Sequence, residues 1–144
     1  MKSSMQSDIS TQSSRPYAKS DSRTDGPGPR VMGATTLVGD EVCNRQDESL
    51  GKIHEIMLDT VTGHIAYAVL ASGGFLGMGD KYFAIPWELL ELDTDNKQFV
   101  LNISKDELRQ APGFDKDHWP SMADTNWAEE VHGFYKTTPY WERY

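Results

Sequence analysis

A chain of 144 residues with twenty-two acidic and fourteen basic side chains has a net charge of −8 and the length of one domain with extensions. The charge is uneven: residues 1–30 carry a net charge of +2, while residues 31–144, with nineteen acidic and nine basic side chains, carry −10. A body this acidic repels phosphate groups, which excludes a general nucleic-acid binder and leaves a basic protein as an acceptable partner.

Cysteine content and the length of the apolar runs indicate the cellular compartment in which the protein works. The one cysteine, Cys43, excludes an intramolecular disulfide and a cysteine-rich metal site, and we interpret it as a small buried apolar side chain. No stretch reaches the roughly 18 apolar residues of a membrane span, and the first residues, MKSSMQSDISTQSS, lack the apolar region of a secretory signal. The sequence therefore predicts a cytoplasmic protein without a membrane span.

Composition divides the chain into three parts. Residues 1–30 are rich in Ser, Asp, Gly and Pro and hold few apolar side chains, which predicts a disordered tail that ends in a stiff linker. Residues 31–114 hold short apolar runs separated by turn residues and form the predicted domain. Residues 115–144 contain seven of the fifteen aromatic side chains and form a separate C-terminal arm.

Short apolar runs in the middle part predict β-strands. The run at 36–43 is interpreted as a strand or strand pair broken at Gly39, and Pro86 marks an edge or a bulge in a later strand. Strands of about 5–8 residues with closely spaced turns favour an all-β fold, a small antiparallel barrel. The predicted strands cover residues 36–43, 52–59, 65–71, 82–87 and 98–103.

Two helices are predicted from their starting signals. Ser104 and Glu107 have the spacing of a capping box, which opens a short helix that Pro112 stops. In the arm, Asp124 is a plausible N-cap, and the aromatic and apolar side chains that follow recur at helical spacing. The second helix is expected to begin just after Asp124.

The glycine run Gly74-Phe-Leu-Gly-Met-Gly79 has the glycine spacing of a phosphate-binding loop. In that motif a lysine and then Ser or Thr follow the last glycine, and a helix begins there. Here Asp80 takes the position of the lysine, and the next residues read as a strand. We therefore interpret the run as a hairpin loop whose apolar tip is formed by Phe75, Leu76 and Met78.

No catalytic, cofactor-binding or metal-binding residues are predicted. The Asp93-Thr-Asp95-Asn96 stretch lacks the later glycine and glutamate of a calcium loop, and Cys43 has no nucleophile signature around it. The four histidines are far apart and lack zinc-ligand spacing; they are His54, His64, His118 and His132. We expect a protein that is not an enzyme.

The aromatic arm allows three interpretations. Its side chains fold back over the barrel, cross to a second subunit or a partner, or stack on bases; three basic against six acidic residues disfavour the last. The candidate interaction surface joins the apolar loop tip to the arm. It comprises Phe75, Leu76, Met78, Trp119, Trp127, Tyr135, Tyr140 and Trp141.

The stretch LVGDEVCNRQDESLGKIHEIMLDTVTGHIAYAVLASGGFLGMGDKYFAIPWELL resembles a PRC-barrel domain, a family named from the cytoplasmic domain of the photosynthetic reaction-centre H subunit. The resemblance rests on Leu50-Gly51-Lys52, the Thr62-Gly63 turn, the glycine run with Asp80-Lys81, and Ile85-Pro86-Trp87, in this order and spacing. It implies an SH3-like barrel of about six strands that serves as an assembly or docking module, without cofactor or catalytic residues.

The resulting functional hypothesis is a non-catalytic protein-interaction module of a stand-alone bacterial type, a homodimer and stress-related. Two alternatives follow from other members of the family, which includes the C-terminal domain of a ribosome-maturation factor. They are a factor associated with the ribosome or with RNA processing, and a soluble relative of the reaction-centre H subunit. No apolar helix precedes the barrel and no maturation-type domain is seen, so we expect neither of those complete proteins.

Overall fold

The computed structural model describes residues 30–73 and 80–142. Within these ranges the chain forms a β-sheet, three short α-helices and two 3-10 turns, at Trp87–Leu89 and Tyr140–Glu142. The helices are α1 (Ala34–Leu37), α2 (Lys105–Arg109) and α3 (Thr125–Phe134). The strands are β1 (Glu41–Cys43), β2 (Ser49–Leu58), β3 (Ile65–Ala71), β4 (Lys81–Pro86), β5 (Leu90–Asp93), β6 (Gln98–Leu101) and β7 (Gly113–Asp115).

All seven described strands belong to one sheet, in the order β5-β6-β1-β2-β3-β4-β7. Neighbouring strands are antiparallel except β1 and β6, which run parallel. The prediction of a mostly β protein is confirmed. The strand count differs from the expected six or so, because β5 and β7 both lie outside the five predicted runs; β5 pairs with β6, and the three-residue β7 adds to the edge of β4. The edge strands β5 and β7 do not pair with each other, so the sheet is open in the described residues.

The predicted strand at 36–43 is wrong in its first half. Residues 34–37 form α1, and only Glu41–Cys43 is a strand. The hydroxyl of Thr36 donates to the carbonyl of Gly33 at 2.6 Å, a local bond that competes with strand pairing. Gly39 then turns the chain with φ +96°, and its backbone N–H and the carbonyl of Asp40 already bond Ile53 of β2 just before the β1 ladder begins at Glu41.

The long strand β2 depends on one glycine. Gly51 has φ +141°, and a Cβ at this position would lie 2.3 Å from the carbonyl oxygen of Ala71 on β3. Only glycine allows β2 and β3 to approach this closely without moving the backbone. The Leu50-Gly51-Lys52 motif is therefore a packing requirement of the β2–β3 hairpin.

Both faces of β3 are buried, and each belongs to a different core. Ala68 and Leu70 face the first core, while Tyr67 and Val69 face the second, as the alternation of a strand predicts. Residues of β6, near one edge of the sheet, and of β4, near the other edge, share the first core. The sheet must therefore curl to bring the two strands together. That core contains Leu37, Val42, Leu50, Ile53, Ala68, Leu70, Phe83, Ile85, Phe99, Leu101, Leu108 and Ala111.

The second core lies on the opposite face of the sheet and is covered by α3. Its buried members are Ala66, Tyr67, Val69, Ala84, Phe114 and Val131. Both predicted helix starts are confirmed: Ser104 and Glu107 form the reciprocal capping box of α2, and the side chain of Asp124 accepts the backbone N–H of Asn126 at 2.9 Å. The N-cap at Asp124 fixes where α3 begins and so which of its residues reach the second core.

Candidate interaction surface

The C-terminal arm packs on its own sheet, around the ring of Tyr67. That ring contacts Trp127 and His132 of α3 and Tyr140 of the last turn, with centroid separations of 5.3, 5.5 and 5.8 Å. The Trp127 and Tyr140 contacts are edge-on, a favoured geometry for aromatic pairs. In this structure the arm follows the first of the three interpretations, folding back over the sheet.

A buried histidine joins the last turn to α3. His132 is 1% exposed, and its Nδ1 lies 2.7 Å from the carbonyl oxygen of Ala128 one turn earlier. The backbone N–H of Tyr140 donates to Nε2 of the same ring across 3.3 Å. Each ring nitrogen of His132 therefore bonds a different segment of the backbone.

The turn between β2 and β3 forms a second attachment. The hydroxyl of Tyr140 donates to Oδ2 of Asp59 at 2.6 Å, and the N–H groups of Val61 and Thr62 donate to Oδ1 at 2.9 and 3.2 Å. The Tyr140 bond, followed by the two backbone bonds, holds the pKa of Asp59 below its ordinary value of 3.8. Burial, with the Asp59 carboxylate added, raises the pKa of Tyr140 to about 12.

Exposed apolar side chains surround this attachment. Leu58 is 56% exposed, Val61 is 92% exposed, and Trp141, whose ring packs edge-on against Tyr140 at 5.3 Å, is 38% exposed. We call Leu58, Val61 and Trp141 the hairpin patch. Each member adjoins the attachment: Leu58 precedes Asp59, the backbone N–H of Val61 bonds Asp59, and Trp141 follows Tyr140.

Two other predicted surface residues, Trp119 and Trp127, lie outside the hairpin patch. Trp119 is 39% exposed and packs on Tyr82 and Phe114, at the end of β4 that pairs with Ala71, the far end of β3 from the hairpin turn. Trp127 is half-buried against Tyr67. The remaining loop-tip residues Phe75, Leu76 and Met78 lie outside the described residues.

Tyr135, also predicted for this surface, is half-buried and contacts both cores. Its hydroxyl is buried without a hydrogen-bond partner, and burial raises the pKa of Tyr135. The same ring lines a groove of about 520 Å³, a volume within the range of small-ligand pockets. The groove is lined by Leu89, Leu101, Asn102, Ile103, Glu107, Gln110, Phe134, Tyr135 and Lys136.

Sequence reasoning did not identify the groove, Asp59, or the bonding role of His132. The groove joins β6, α2 and the end of α3, and the Tyr140–Asp59 bond joins residues 81 positions apart, so no local pattern marks either. His132 was considered only as a metal ligand, and its position facing the sheet in α3 was the one available signal.

The residues that the structure describes offer few candidates for metal ligands or nucleophiles. There, no group of three or more His, Cys, Asp or Glu side chains is arranged to hold a metal ion. Burial, with Glu41 and Asp47 added, raises the pKa of the Cys43 thiol, which keeps it protonated. The ten-residue α3 is the longest described helix, and none of the described helices has the length and apolar character needed to cross a bilayer.

Comparison with models of known protein families matches part of the chain. The model of the PRC-barrel domain family matches residues 29–108, more than half of the chain, and ends at the last core residue of α2. No curated protein matches the chain. Strand β7, helix α3 and the last turn follow the matched segment.

Proposed function

The chain belongs to the PRC-barrel domain family, and from this membership we propose that it is a non-catalytic protein-interaction module. In this proposal the curled seven-stranded sheet is the chain's form of the SH3-like family barrel, and the hairpin patch is its docking surface. The module uses no cofactor and works in the cytoplasm. Its first partner is a second copy of the chain, in a homodimer.

The observation that carries the proposal is the construction of the hairpin patch. Three large apolar side chains stay exposed, while the polar groups between them are bonded to one another. The Asp59 carboxylate accepts three hydrogen bonds within the chain, so both of its oxygens are already hydrogen-bonded when a partner covers the patch. Apolar side chains over a satisfied polar centre are typical of the middle of an interface.

Charge sets the conditions for self-association. Two copies bring together bodies that each carry −10 over residues 31–144. Their repulsion is screened over a distance of about 10 Å at an ionic strength of about 0.1 M. We therefore expect the dimer to become tighter as salt increases, which is opposite to the behaviour of a complex with a basic partner.

The test is sedimentation velocity of the full chain at low and high salt, comparing wild type with a Leu58→Ser/Val61→Ser variant. We expect a dimer whose dissociation constant rises by at least about tenfold in the variant. Val31→Ser is the matched control, because Val31 is 66% exposed but lies outside the hairpin patch. It should leave the dimer unchanged.

A monomer under all salt conditions would reject self-association. A quantitative pull-down with wild type, the double variant and Val31→Ser as baits then tests the wider proposal. Proteins retained by wild type and Val31→Ser but lost by the double variant would support docking at the hairpin patch. Identical recovery by the three baits would overturn it.

A further inference from the structure

We propose that His132 and Tyr140 form a pH-released latch, in which the C-terminal turn Tyr140–Glu142 stays on α3 only while the His132 imidazole is neutral. The latch concerns the folded chain alone. Only its effect on docking rests on the proposed function.

The two bonds of His132 specify one protonation state. The Ala128 carbonyl, 2.7 Å from Nδ1, can only accept, so Nδ1 must carry the proton. The backbone N–H of Tyr140, 3.3 Å from Nε2, can only donate, so Nε2 must present its lone pair. Of the three forms of the ring, only the neutral one with its proton on Nδ1 satisfies both neighbours.

Protonation of His132 places two N–H donors opposite each other, one at Nε2 of the ring and one on the backbone of Tyr140. The imidazolium carries a second N–H on Nε2, aimed at the N–H of Tyr140, and a ring that is 1% exposed has no water to accept it. Buried histidines that are neutral in the folded protein must take up this charge as the pH falls. The bond to Tyr140 is therefore available to the neutral ring and is lost to the imidazolium.

The surroundings favour displacement of the turn over movement of the ring. The Tyr67 ring, with its centroid 5.5 Å away, and the C-terminal end of α3 attract a cation. These contacts and the Ala128 bond are kept by an imidazolium that stays in place. The Tyr140 N–H is the neighbour that loses its acceptor, so the turn that carries it is expected to move away.

No acidic group neutralises the imidazolium directly. Asp59, from the β2–β3 turn, is connected to the His132 ring only through Tyr140, and Glu88 interacts electrostatically with Tyr67. In the described part of the chain no carboxylate bonds either ring nitrogen. The remaining charged groups on α3 and the two segments that follow it are Glu129, Glu130, Lys136 and Glu142, of which all but Lys136 are acidic.

The second attachment survives longer than the first. The pKa of Asp59 is held below 3.8, first by the bond from the Tyr140 hydroxyl, so this carboxylate stays ionised and keeps that bond in mild acid. Protonation of His132 therefore breaks the backbone bond alone and leaves the turn hinged at Tyr140. Trp141 then leaves His132, which dismantles the hairpin patch and weakens docking.

The direct test is NMR of the ¹⁵N-labelled full chain, titrated from about pH 8 to about pH 5. Long-range ¹H–¹⁵N spectra should show the His132 proton on Nδ1 at the upper end. The Tyr140 amide shift should then follow the same midpoint as the ring. Hydrogen exchange at Tyr140 and Trp141 should rise by about tenfold below that midpoint.

Two variants separate the latch from general acid sensitivity. His132→Gln cannot titrate, so the acid-dependent change at Tyr140 should disappear, whereas His118→Gln, at an exposed histidine, should retain it. The latch is wrong if neutral His132 carries its proton on Nε2, or if the Tyr140 amide does not follow the ring. The wild-type titration decides the matter even where His132→Gln fails to fold. Loss of docking without these NMR changes would leave the proposed function intact and remove the latch.

Discussion

The two faces of the sheet are closed by different chemistry. The first core is aliphatic apart from two phenylalanines, and all its members except Ala111 lie within the segment that matches the family. The second core is completed by residues beyond that segment and is held by tyrosine, tryptophan and histidine rings with hydrogen bonds at their edges. Apolar area holds the first face whatever the pH, whereas the second depends on a few groups in defined protonation states. The sheet is thus the scaffold, and the arm is a layer whose attachment can be changed separately.

The largest loss of stability is expected from a substitution where β2 and β3 meet, because both cores depend on these strands. Gly51→Ala places a methyl group 2.3 Å from the Ala71 carbonyl oxygen and should lower the free energy of unfolding by on the order of 3 kcal/mol. Urea unfolding followed by circular dichroism measures the loss. Gly63→Ala is the control, because it also has positive φ, +82°, but nothing lies within 4 Å; it should cost about 1 kcal/mol. Equal losses would mean that the close approach of β2 and β3 is readily relaxed.

A smaller and local effect is expected in the arm. Trp127→Ala removes the edge contact with Tyr67 and should cost about 2 kcal/mol, less than a fully buried tryptophan. Hydrogen exchange read by mass spectrometry should show faster exchange in α3 and the last turn, with β1 and β6 unchanged. Trp141→Ala, at an exposed tryptophan, should affect the last turn alone. If exchange increased equally in β1 and β6, the two cores would be one cooperative unit and the comparison would fail.

The smallest effect is expected from one hydroxyl group. Tyr140→Phe removes the first cause of the lowered Asp59 pKa, which should move back toward 3.8 in a carboxyl-detected NMR titration. A carboxylate with a depressed pKa stabilises the folded state above its unfolded pKa and loses that effect as the pH falls through the folded value. The variant should therefore be less stable than wild type at neutral pH and equal to it at the acid end. Tyr135→Phe, which removes a hydroxyl without a hydrogen-bond partner, should leave the Asp59 titration unchanged.

How much of the fold the sequence could predict depended on how local the deciding contacts are. The capping box of α2 and the N-cap of α3 were predicted, because a cap and its partner lie within three residues. The helix α1 was missed, because a short apolar run is compatible with a strand, whereas the Thr36 hydroxyl and backbone N–H both bond the Gly33 carbonyl and close a helical turn. Strand β7 was missed as well, since three residues have no readable period and pair only because β4 has a free edge.

The candidate site was predictable in part for the same reason. Tyr140 and Trp141 stood out by composition, and both lie at the described surface. Nothing in the sequence distinguishes Leu58 and Val61 from other hairpin residues. They become candidates for the surface because Tyr140, 81 positions from Asp59, bonds the turn beside them. Trp119 was grouped with them because sequence distance within the arm carries no information about which end of β4 it reaches.

The parallel pairing of β1 with β6 has a consequence for synthesis on the ribosome. Glu41 pairs with Gln98, so one edge of β1 stays unpaired until β6 is made, while the β1–β2, β2–β3 and β3–β4 pairs can already form. The buried members of the first core are complete only when Ala111 has left the exit tunnel. The arm emerges after the strands and meets a sheet whose other face is largely packed. Translation order thus delivers the pH-dependent layer onto a finished scaffold.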